Sequence, residues 1–285
     1  MTNAKLPPNV QMGPVHLTVS NLDRSIDFYH NAIGLTQIAR EGNEASLGTA
    51  DRRLLNLVEV PGAVKLPRHT GLYHFALLLP SRQALGNAVQ NFVTTQTRIT
   101  GGADHQVSEA IYLDDPDGNG IEIYRDRPRD AWKIRGGMVE MDTLPLDFEG
   151  LLNEAGGNGG QAYALPAQTM MGHVHLHVAH LARAVDFYQN VIGLDQMAQY
   201  GNSASFLSAG GYHHHLGLNT WAGVGVPPVP QGSVGLRYFE ILLPNNASAN
   251  SLLERLQSTQ TAYEMTDAGL AVRDPSQNQL LLTSQ

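Results

Sequence analysis

The feature that most constrains the fold of this chain is an internal repeat. Residues 13–35 recur as residues 172–194, with 14 of 23 positions identical and no gap. The same shift of 159 residues aligns Asp115-Pro116 with Asp274-Pro275. A repeat at a fixed separation indicates that one structural unit has been copied along the chain. The prediction is two homologous halves joined by a glycine-rich connection, with boundaries at 1–135, 136–171 and 172–285.

Each half subdivides into two similar units. In the first unit, residues 15–19 alternate between apolar and polar, which predicts a half-buried strand, and residues 23–33 have the spacing of an amphipathic helix. The second unit repeats this order. Its predicted elements are strands at 72–77, 110–113 and 120–124 and a helix over residues 82–96. The chain is therefore predicted to be an α+β protein of four tandem βαβββ units.

Composition and charge exclude several classes of function. The 285 residues include no cysteine, so disulfides, thiolate ligands and a cysteine nucleophile are excluded. A net charge of -8 argues against a nucleic-acid partner, because phosphate contacts need clustered Lys and Arg. No run of about 18 apolar residues is present, so no membrane span is predicted. The N-terminal residues lack the layout of a secretory signal, which predicts a cytoplasmic location.

The segment 103–122 carries the most chemical information. It places His105, Tyr112 and Glu122 along a predicted hairpin, with a tight Asp-Gly turn just before the glutamate. Apart from Ala103 at its first position, this order resembles the signature of extradiol ring-cleaving dioxygenases. The four units resemble the vicinal oxygen chelate superfamily, which implies two cupped mixed-sheet barrels with a metal in the cup. The resemblance also implies that Glu122 binds the metal while His105 and Tyr112 contact the substrate.

The resemblance further implies a metal site of two histidines and one carboxylate. Ligands in this family lie at the beginning and end of a unit, and in the second unit these are His74 and Glu122. The third ligand is expected from the first strand of another unit, and the candidates are His175 and His16. Two histidines and a carboxylate form the facial triad of non-haem iron enzymes and suit Fe(II) or Mn(II). Such a triad leaves adjacent positions for a chelating diol.

The distribution of polar residues favours His175 and a particular pairing of units. Aligned with the second unit, the fourth has lost the motif, and its residues at the four polar positions are Tyr238, Glu264, Ala271 and Leu281. The third unit carries His213–His215 where the first has Leu54–Asn56. This run resembles the double-histidine strand of extradiol enzymes, which assigns oxygen chemistry to His214. If units two and three share a cup, these groups converge with His175. If units pair sequentially, His16 becomes the third ligand, and this alternative stays open.

These residues predict oxygen-dependent cleavage of a catechol-type ring beside its diol, with a small aromatic diol and O2 as partners. His214 is expected to move protons, since the pKa of a histidine lies near neutrality. His105 and Tyr112 are expected to hydrogen-bond the substrate oxygen. Trp221 and the Gly/Pro-rich segment 223–230 are expected to cover the site as a lid. Proteins of this kind often assemble, so a homo-oligomer is expected.

Two functions from other classes stay open. A glyoxalase-type isomerase or lyase would share the fold and use a metal, but usually with two carboxylate ligands. The position that matches Glu122 in the other half is Leu281, so the second carboxylate is missing. A metal-free protein that binds an aromatic compound or an antibiotic would need neither the triad nor the histidine and tyrosine of the signature. Metal loading followed by catechol and air separates these functions.

Overall fold

The computed structural model describes residues 5–157 and 162–284. The predicted halves extend to residues 1–4 and to Gln285, and the predicted connection includes Asn158–Gln161. These residues lie outside the described part of the chain. The boundaries of the two halves therefore stay a prediction, while the structure describes the helices and strands within them.

The first half contains two consecutive strand-helix-strand units. Its first unit consists of β1 (Gln11–Val19), α1 (Leu22–Phe28), β2 (Thr36–Glu41), β3 (Glu44–Gly48) and β4 (Arg53–Glu59). Its second unit consists of β5 (Gly71–Leu78), α2 (Arg82–Thr94), β6 (Ile99–Asp104), β7 (Ser108–Asp114) and β8 (Gly120–Asp126). Both helices begin after a side-chain cap, because the side chains of Asn21 and Ser81 accept bonds from otherwise unpaired backbone N–H groups. The predicted first helix is α1 continued by a π-helical turn, Tyr29–Ile33, which ends at left-handed Gly34.

The second half repeats this organisation after a structured connection. The connection contains β9 (Ile134–Arg135), β10 (Met138–Val139), β11 (Leu144–Pro145) and α3 (Phe148–Glu154). The third unit consists of β12 (Met170–His177), α4 (Leu181–Asp186), β13 (Asp195–Tyr200), β14 (Ala204–Ser208) and β15 (Leu216–Asn219). The fourth consists of β16 (Gly235–Leu243), α5 (Asn246–Ser258), β17 (Tyr263–Thr266), β18 (Gly269–Arg273) and β19 (Gln279–Ser284). The predicted α+β fold of four units is confirmed. None of the described helices is long and apolar enough to cross a membrane.

Two large mixed sheets are formed, and each takes strands from both halves. Within the described residues, the first sheet has the order β17-β18-β19-β16-β1-β4-β3-β2 and the second the order β11-β6-β7-β8-β5-β12-β15-β14-β13. The antiparallel seam β1–β16 joins units one and four, and the seam β5–β12 joins units two and three. The favoured pairing of units is therefore confirmed, and the sequential pairing is not what the chain adopts.

The two faces of β12 separate packing from chemistry. Val174, Leu176 and Val178 are fully buried in the main apolar core, which also holds the inward side chains of α2. Because side chains alternate along a strand, His173 and His175 point to the opposite face. The same alternation places Phe75 and Leu77 of β5 in the core and leaves His74 on the histidine side. One face of the second sheet thus collects the titratable groups.

The triple histidine occupies a different local structure from the one predicted. We expected His213–His215 inside an alternating strand, but β15 begins only at Leu216, and the three histidines lie in the preceding turn. Gly210 and Gly211 both have positive φ, 64° and 66°, which lets the chain reverse sharply after β14. The reversal frees His213 and His214 from strand alternation, so both rings are buried on the same side.

Candidate metal centre and its cavity

Three adjacent strands bring the candidate ligands together. Ala76 of β5 lies opposite Glu122 of β8 on one side and opposite His173 of β12 on the other. Because neighbours in register share a face of a sheet, these three side chains point the same way. The side chain of Ala76 is only a methyl group, so the longer carboxylate and imidazole can approach each other above it. His74, two residues earlier on β5, joins them from the next row of the sheet.

The three candidate ligand atoms lie within hydrogen-bonding distance of one another. Nε2 of His74 and Nε2 of His173 each lie 3.0 Å from Oε2 of Glu122, and the two nitrogens lie 3.3 Å apart. All three residues are buried, with exposed fractions of 5% or less. Within the described residues, this trio is a group of side chains whose ligand atoms lie close enough to hold one metal ion. Two imidazoles and one carboxylate fit a divalent transition metal such as Fe(II) or Mn(II).

The electrostatics of the trio suit a cation. Burial alone would raise the pKa of Glu122, but His173 and His74 outweigh it and hold that pKa well below its usual value. Burial lowers the pKa of His74 and exceeds the opposing effect of Glu122. The carboxylate is therefore charged and the His74 imidazole neutral at neutral pH, and these are the protonation states that metal ligands need.

The third histidine of the trio is His173, whereas the sequence led us to expect His175. His175 faces His74 directly across the β5–β12 seam, with ring centroids 5.0 Å apart, and lines the cavity described below. Its buried Nε2 has no hydrogen-bond partner in the described part of the chain. Both histidines share one face of β12, so alternation could not tell them apart. The ligand assignment stays a proposal, now with His173 in place of His175.

A different comparison within the sequence would have singled out His173. His74 precedes the N-cap of α2, Ser81, by seven residues, and His173 precedes the N-cap of α4, His180, by the same distance. Units two and three are thus equivalent at a shift of 99 residues, and that shift maps His74 onto His173. The shift of 159 between the two halves relates His175 to His16 and the second unit to the fourth, so it does not relate the second unit to the third.

His16, the other candidate for the third ligand, belongs to the first sheet. Its Nε2 lies 2.7 Å from Oε1 of Glu240 and 3.2 Å from Nδ2 of Asn56. Its ring stacks on Tyr238 at 3.8 Å between centroids. His16 is therefore engaged by strands of units one and four, and the structure does not bring it to His74 and Glu122.

His105 and Tyr112 form a hydrogen-bonded pair beside the candidate metal centre. Nε2 of His105 lies 2.7 Å from the Tyr112 hydroxyl, and Nδ1 of His105 lies 2.7 Å from the backbone carbonyl of Asp142. Tyr112 faces Glu122 across β7–β8. Burial and the charge of Glu122 raise the pKa of Tyr112 well above its usual value, so its hydroxyl keeps its proton. The structure thus places both predicted substrate-contacting residues beside the trio.

His214 approaches the trio from the opposite side. Its ring centroid lies 4.1 Å from that of His173 and 5.0 Å from that of Phe206. Burial, followed by the neighbouring histidines His173 and His213, lowers the pKa of His214 well below its usual value. A neutral imidazole therefore borders the site, and this is the form that can accept a proton.

A cavity of about 570 Å³ opens over these groups. Its walls include His74, Glu122 and His175, and much of the remaining lining is apolar. The aromatic and apolar wall residues include Tyr73, Met138, Val139, Met141, Tyr200, Phe206 and Trp221. Pockets for small organic ligands have volumes of about 300–1,000 Å³, so the cavity is large enough for a substituted aromatic ring.

The cover of the cavity differs in part from the lid that we expected. Trp221 does line the cavity, but the segment 223–230 does not contribute to its walls. Residues 138–143 of the connection form a wall instead. Val139 is buried with Trp132 and Met197 in a small apolar cluster separate from the main core. The sequence offered little sign of this, because residues in a connection carry no regular periodicity.

A family pattern and a known relative both match most of the chain. The pattern of the Glyoxalase/Bleomycin resistance protein/Dioxygenase superfamily matches residues 11–123 and 170–280. A catechol-2,3-dioxygenase of Bacillus subtilis (strain 168) is 46% identical over 273 residues, which cover 94% of this chain and 94% of that protein.

Solved structures with the same architecture are more distant in sequence. A structure from Bacillus subtilis subsp. subtilis str. 168 aligns with a TM-score of 0.64 and 15% identity, covering 99% of this chain and 86% of that chain. Glyoxalase I from Zea mays aligns with a TM-score of 0.59 and 15% identity, covering 97% and 92%. At these identities the likeness establishes the fold alone.

Proposed function

The chain belongs to the Glyoxalase/Bleomycin resistance protein/Dioxygenase superfamily, and from this premise we propose that it is an extradiol dioxygenase acting on a catechol-type diol with O2. The observation that carries the proposal is the buried trio of His74, Glu122 and His173, of which His74 and Glu122 line a largely apolar cavity. The 46% identity to a catechol-2,3-dioxygenase over nearly the whole chain supports the same reaction.

The trio is the proposed holder of one Fe(II) or Mn(II) ion. Its donor set of two nitrogens and one carboxylate oxygen fits these ions, and the three atoms lie within 3.0–3.3 Å of one another. When bound, the metal supplies adjacent coordination positions for a diol and for O2, and a positive charge that favours the deprotonated diol.

The remaining groups of the cavity bind and orient the diol. The Tyr112 hydroxyl and the His105 imidazole, 2.7 Å apart, can share hydrogen bonds with one diol oxygen. His214 offers an imidazole that takes a proton from the diol and returns it later. Phe206 and Trp221 provide apolar surface against which the faces of an aromatic ring can pack.

The geometry weighs against the two other functions. Within the described residues, the ligand group contains a single carboxylate, that of Glu122, whereas glyoxalases usually use two. A metal-free binding protein has no need to bury a charged glutamate between two histidines, an arrangement that is costly without a cation or a proton to compensate it. The family likeness alone would not separate these functions, because one fold serves all three.

The test is anaerobic loading of the purified protein with Fe(II), or separately with Mn(II), followed by catechol and then air. We expect tight binding of one metal ion, oxygen uptake and a yellow ring-opened product. Glu122→Gln serves as the matched variant, since it keeps the shape of the side chain but removes its charge, and we expect it to bind metal weakly. Tight metal binding without oxygen uptake across several catechols would contradict the dioxygenase and favour an isomerase. The absence of metal binding would favour a sequestering protein.

A cytoplasmic location and assembly into a homo-oligomer complete the proposal. Light scattering on the purified protein tests the oligomeric state, and a mass of one chain would contradict it. Fractionation of cells that produce the protein tests the location.

A further inference from the structure

A chain of hydrogen bonds leads from the end of β8 to the candidate metal centre. Oδ1 of Asp126 lies 2.9 Å from Nε2 of His213, and Nδ1 of His213 lies 2.8 Å from Nδ1 of His214. His214 then packs on His173, one of the proposed ligands. We call Asp126, His213 and His214 the Asp–His–His chain. Both of its imidazoles are buried, and that of His213 is 0% exposed.

The surrounding residues hold this chain in place. The Tyr212 hydroxyl donates to Oδ1 of Asp126 at 3.3 Å, and the hydroxyls of Tyr212 and Tyr124 lie 2.7 Å apart. The indole of Trp132 packs against His213, with centroids 5.3 Å apart. The carboxylate and the first imidazole therefore have little freedom to reorient.

The hydrogen-bond partners determine which imidazole nitrogens of the Asp–His–His chain carry a hydrogen. A carboxylate only accepts hydrogen bonds, so Nε2 of His213 carries the hydrogen that it donates to Asp126. In a neutral imidazole the other nitrogen is then proton-free and accepts. The short contact to His214 therefore requires that Nδ1 of His214 donates. Nε2 of His214 is left without a proton, and His214 borders the cavity.

We infer that Asp126 and His213 are positioning residues that hold His214 in the tautomer whose Nε2 can accept a proton from a diol in the cavity. This inference rests on the proposed function. In the step, the O–H bond of the diol breaks, its electron pair stays on oxygen, and an N–H bond forms at Nε2 of His214. The resulting imidazolium is stabilised because its Nδ1–H already donates to His213, which Asp126 orients.

The homologous half shows that the fold does not need these two imidazoles. In the sheet register Leu55 lies opposite Val15 and Leu216 lies opposite the equivalent Val174, so His213 and His214 correspond to Arg52 and Arg53, which are exposed. The sheet that lacks the ligand trio thus also lacks both imidazoles of the Asp–His–His chain.

The first test measures the tautomers directly in metal-free protein labelled with 15N at histidine. Two-bond 15N–1H correlation spectra distinguish a nitrogen that carries hydrogen from one that does not, and His214→Gln identifies the His214 signals. We expect hydrogen on Nδ1 of His214 and on Nε2 of His213. In Asp126→Asn the amide can donate to His213, so we expect both rings to change to the opposite tautomer. Hydrogen on Nε2 of His214 in the unmodified protein would overturn the inference.

The second test separates positioning from a general effect on the fold. We expect Asp126→Asn to lower kcat for catechol about 10- to 100-fold, the usual range for a residue that orients a site group. We expect its KM and its metal content to stay within about twofold of the original values. Asp126→Glu, which restores the carboxylate, is expected to recover much of the rate. His215→Gln is the matched control in the same turn, and we expect it to keep the original kcat.

A double-mutant cycle completes the design. If Asp126 acts through His214, Asp126→Asn should cause no further loss of kcat in a His214→Gln background. An equal loss in both backgrounds would overturn the inference. The spectra need neither metal nor catechol, so they can confirm the tautomers even where the proposed reaction fails. If the protein cleaves catechol but its histidines have the opposite tautomers, the role inferred for the Asp–His–His chain is refuted and the proposed function is not.

Discussion

Ala76 shows how one small side chain makes room for a metal centre. It lies between Glu122 and His173 in a row across three strands, and it is fully buried. A larger residue would stand between the carboxylate and the imidazole, which lie only 3.0 Å apart at their tips. Glu122 and His173 can therefore act together as ligands only because Ala76, which binds no metal itself, is small.

The choice between His173 and His175 gives the first prediction. We expect His173→Ala to weaken Fe(II) binding by more than about 100-fold, because losing even a supporting partner of a ligand costs about 10- to 100-fold. We expect His175→Ala to keep most of the affinity. His16→Ala, in the other sheet, is the matched control. Isothermal titration under anaerobic conditions measures the three affinities, and equal losses for His173→Ala and His175→Ala would contradict the assignment.

At the scale of the element, a buried tyrosine–aspartate pair recurs in both halves. The Tyr29 hydroxyl donates to Asp115 at 2.9 Å, and the Tyr188 hydroxyl donates to Asp274 at 3.2 Å. Each aspartate also accepts bonds from the turn that follows it, including those from Asn119 and Asn278. This turn therefore ties a closing strand to the first helical segment of its half. Its persistence in unit four, where the ligands are lost, marks it as structural.

We predict that Tyr29→Phe and Tyr188→Phe each lower the free energy of unfolding by about 1–3 kcal/mol, the usual cost of losing a buried hydrogen bond to a charged group. The pairs lie in separate halves, so we expect the two losses to add in the double variant. Urea unfolding of the metal-free protein followed by circular dichroism measures them. A change below about 0.5 kcal/mol in both variants would show that the turns hold without the tyrosines.

The β9–β10 hairpin gives a prediction about the cavity wall. Val139 anchors the wall in its own small cluster, so Val139→Asp should release residues 138–143 without opening the main core. We expect KM for catechol to rise about tenfold, equivalent to about 1.4 kcal/mol of lost binding, and the unfolding temperature to change little. Ile134→Asp is the control, since Ile134 lies in the same hairpin and is 61% exposed. A similar KM for the two variants would contradict the role of Val139 in anchoring residues 138–143.

Elements that depend on local pattern were predictable from the sequence, and positions that depend on contacts between elements were not. Apolar periodicity predicted the strands and helices, and the loss of the motif residues from unit four, together with the histidine run in unit three, favoured the pairing of units that the sheets adopt. The choice of His173 over His175 depends on the register of β12 against β5, which is irregular on both sides of the His173–His175 stretch. The turn conformation of His213–His215 depends on two glycines with positive φ, which alternation does not detect.

At the scale of the whole molecule, both large sheets formed by the described residues contain strands from the two halves. The β1–β16 and β5–β12 seams both join strands from different halves. His74 and Glu122 come from the first half, and His173 and His214 come from the second. Neither half can therefore assemble the site alone.

We predict that a chain cut between the halves stays together. A protease site inserted after Gly157, in the exposed end of the connection, should allow cleavage without disturbing either seam. We expect the two fragments to co-elute on size exclusion and to keep their affinity for Fe(II), and to separate only in denaturant. Fragments that part under native conditions would show that the seams are weaker than the covalent link.

The β5–β12 seam has a consequence for how such a molecule could arise. In its register, His74 faces His175 and Ala76 faces His173, while the shift of 99 residues makes His74 equivalent to His173 and Ala76 to His175. Such reciprocal matching is what a two-fold axis between identical subunits produces. The two identical subunits would each correspond to one βαβββ unit, so a single-unit ancestor could have formed this sheet by dimerising, and gene duplication and fusion would then have freed each copy to diverge.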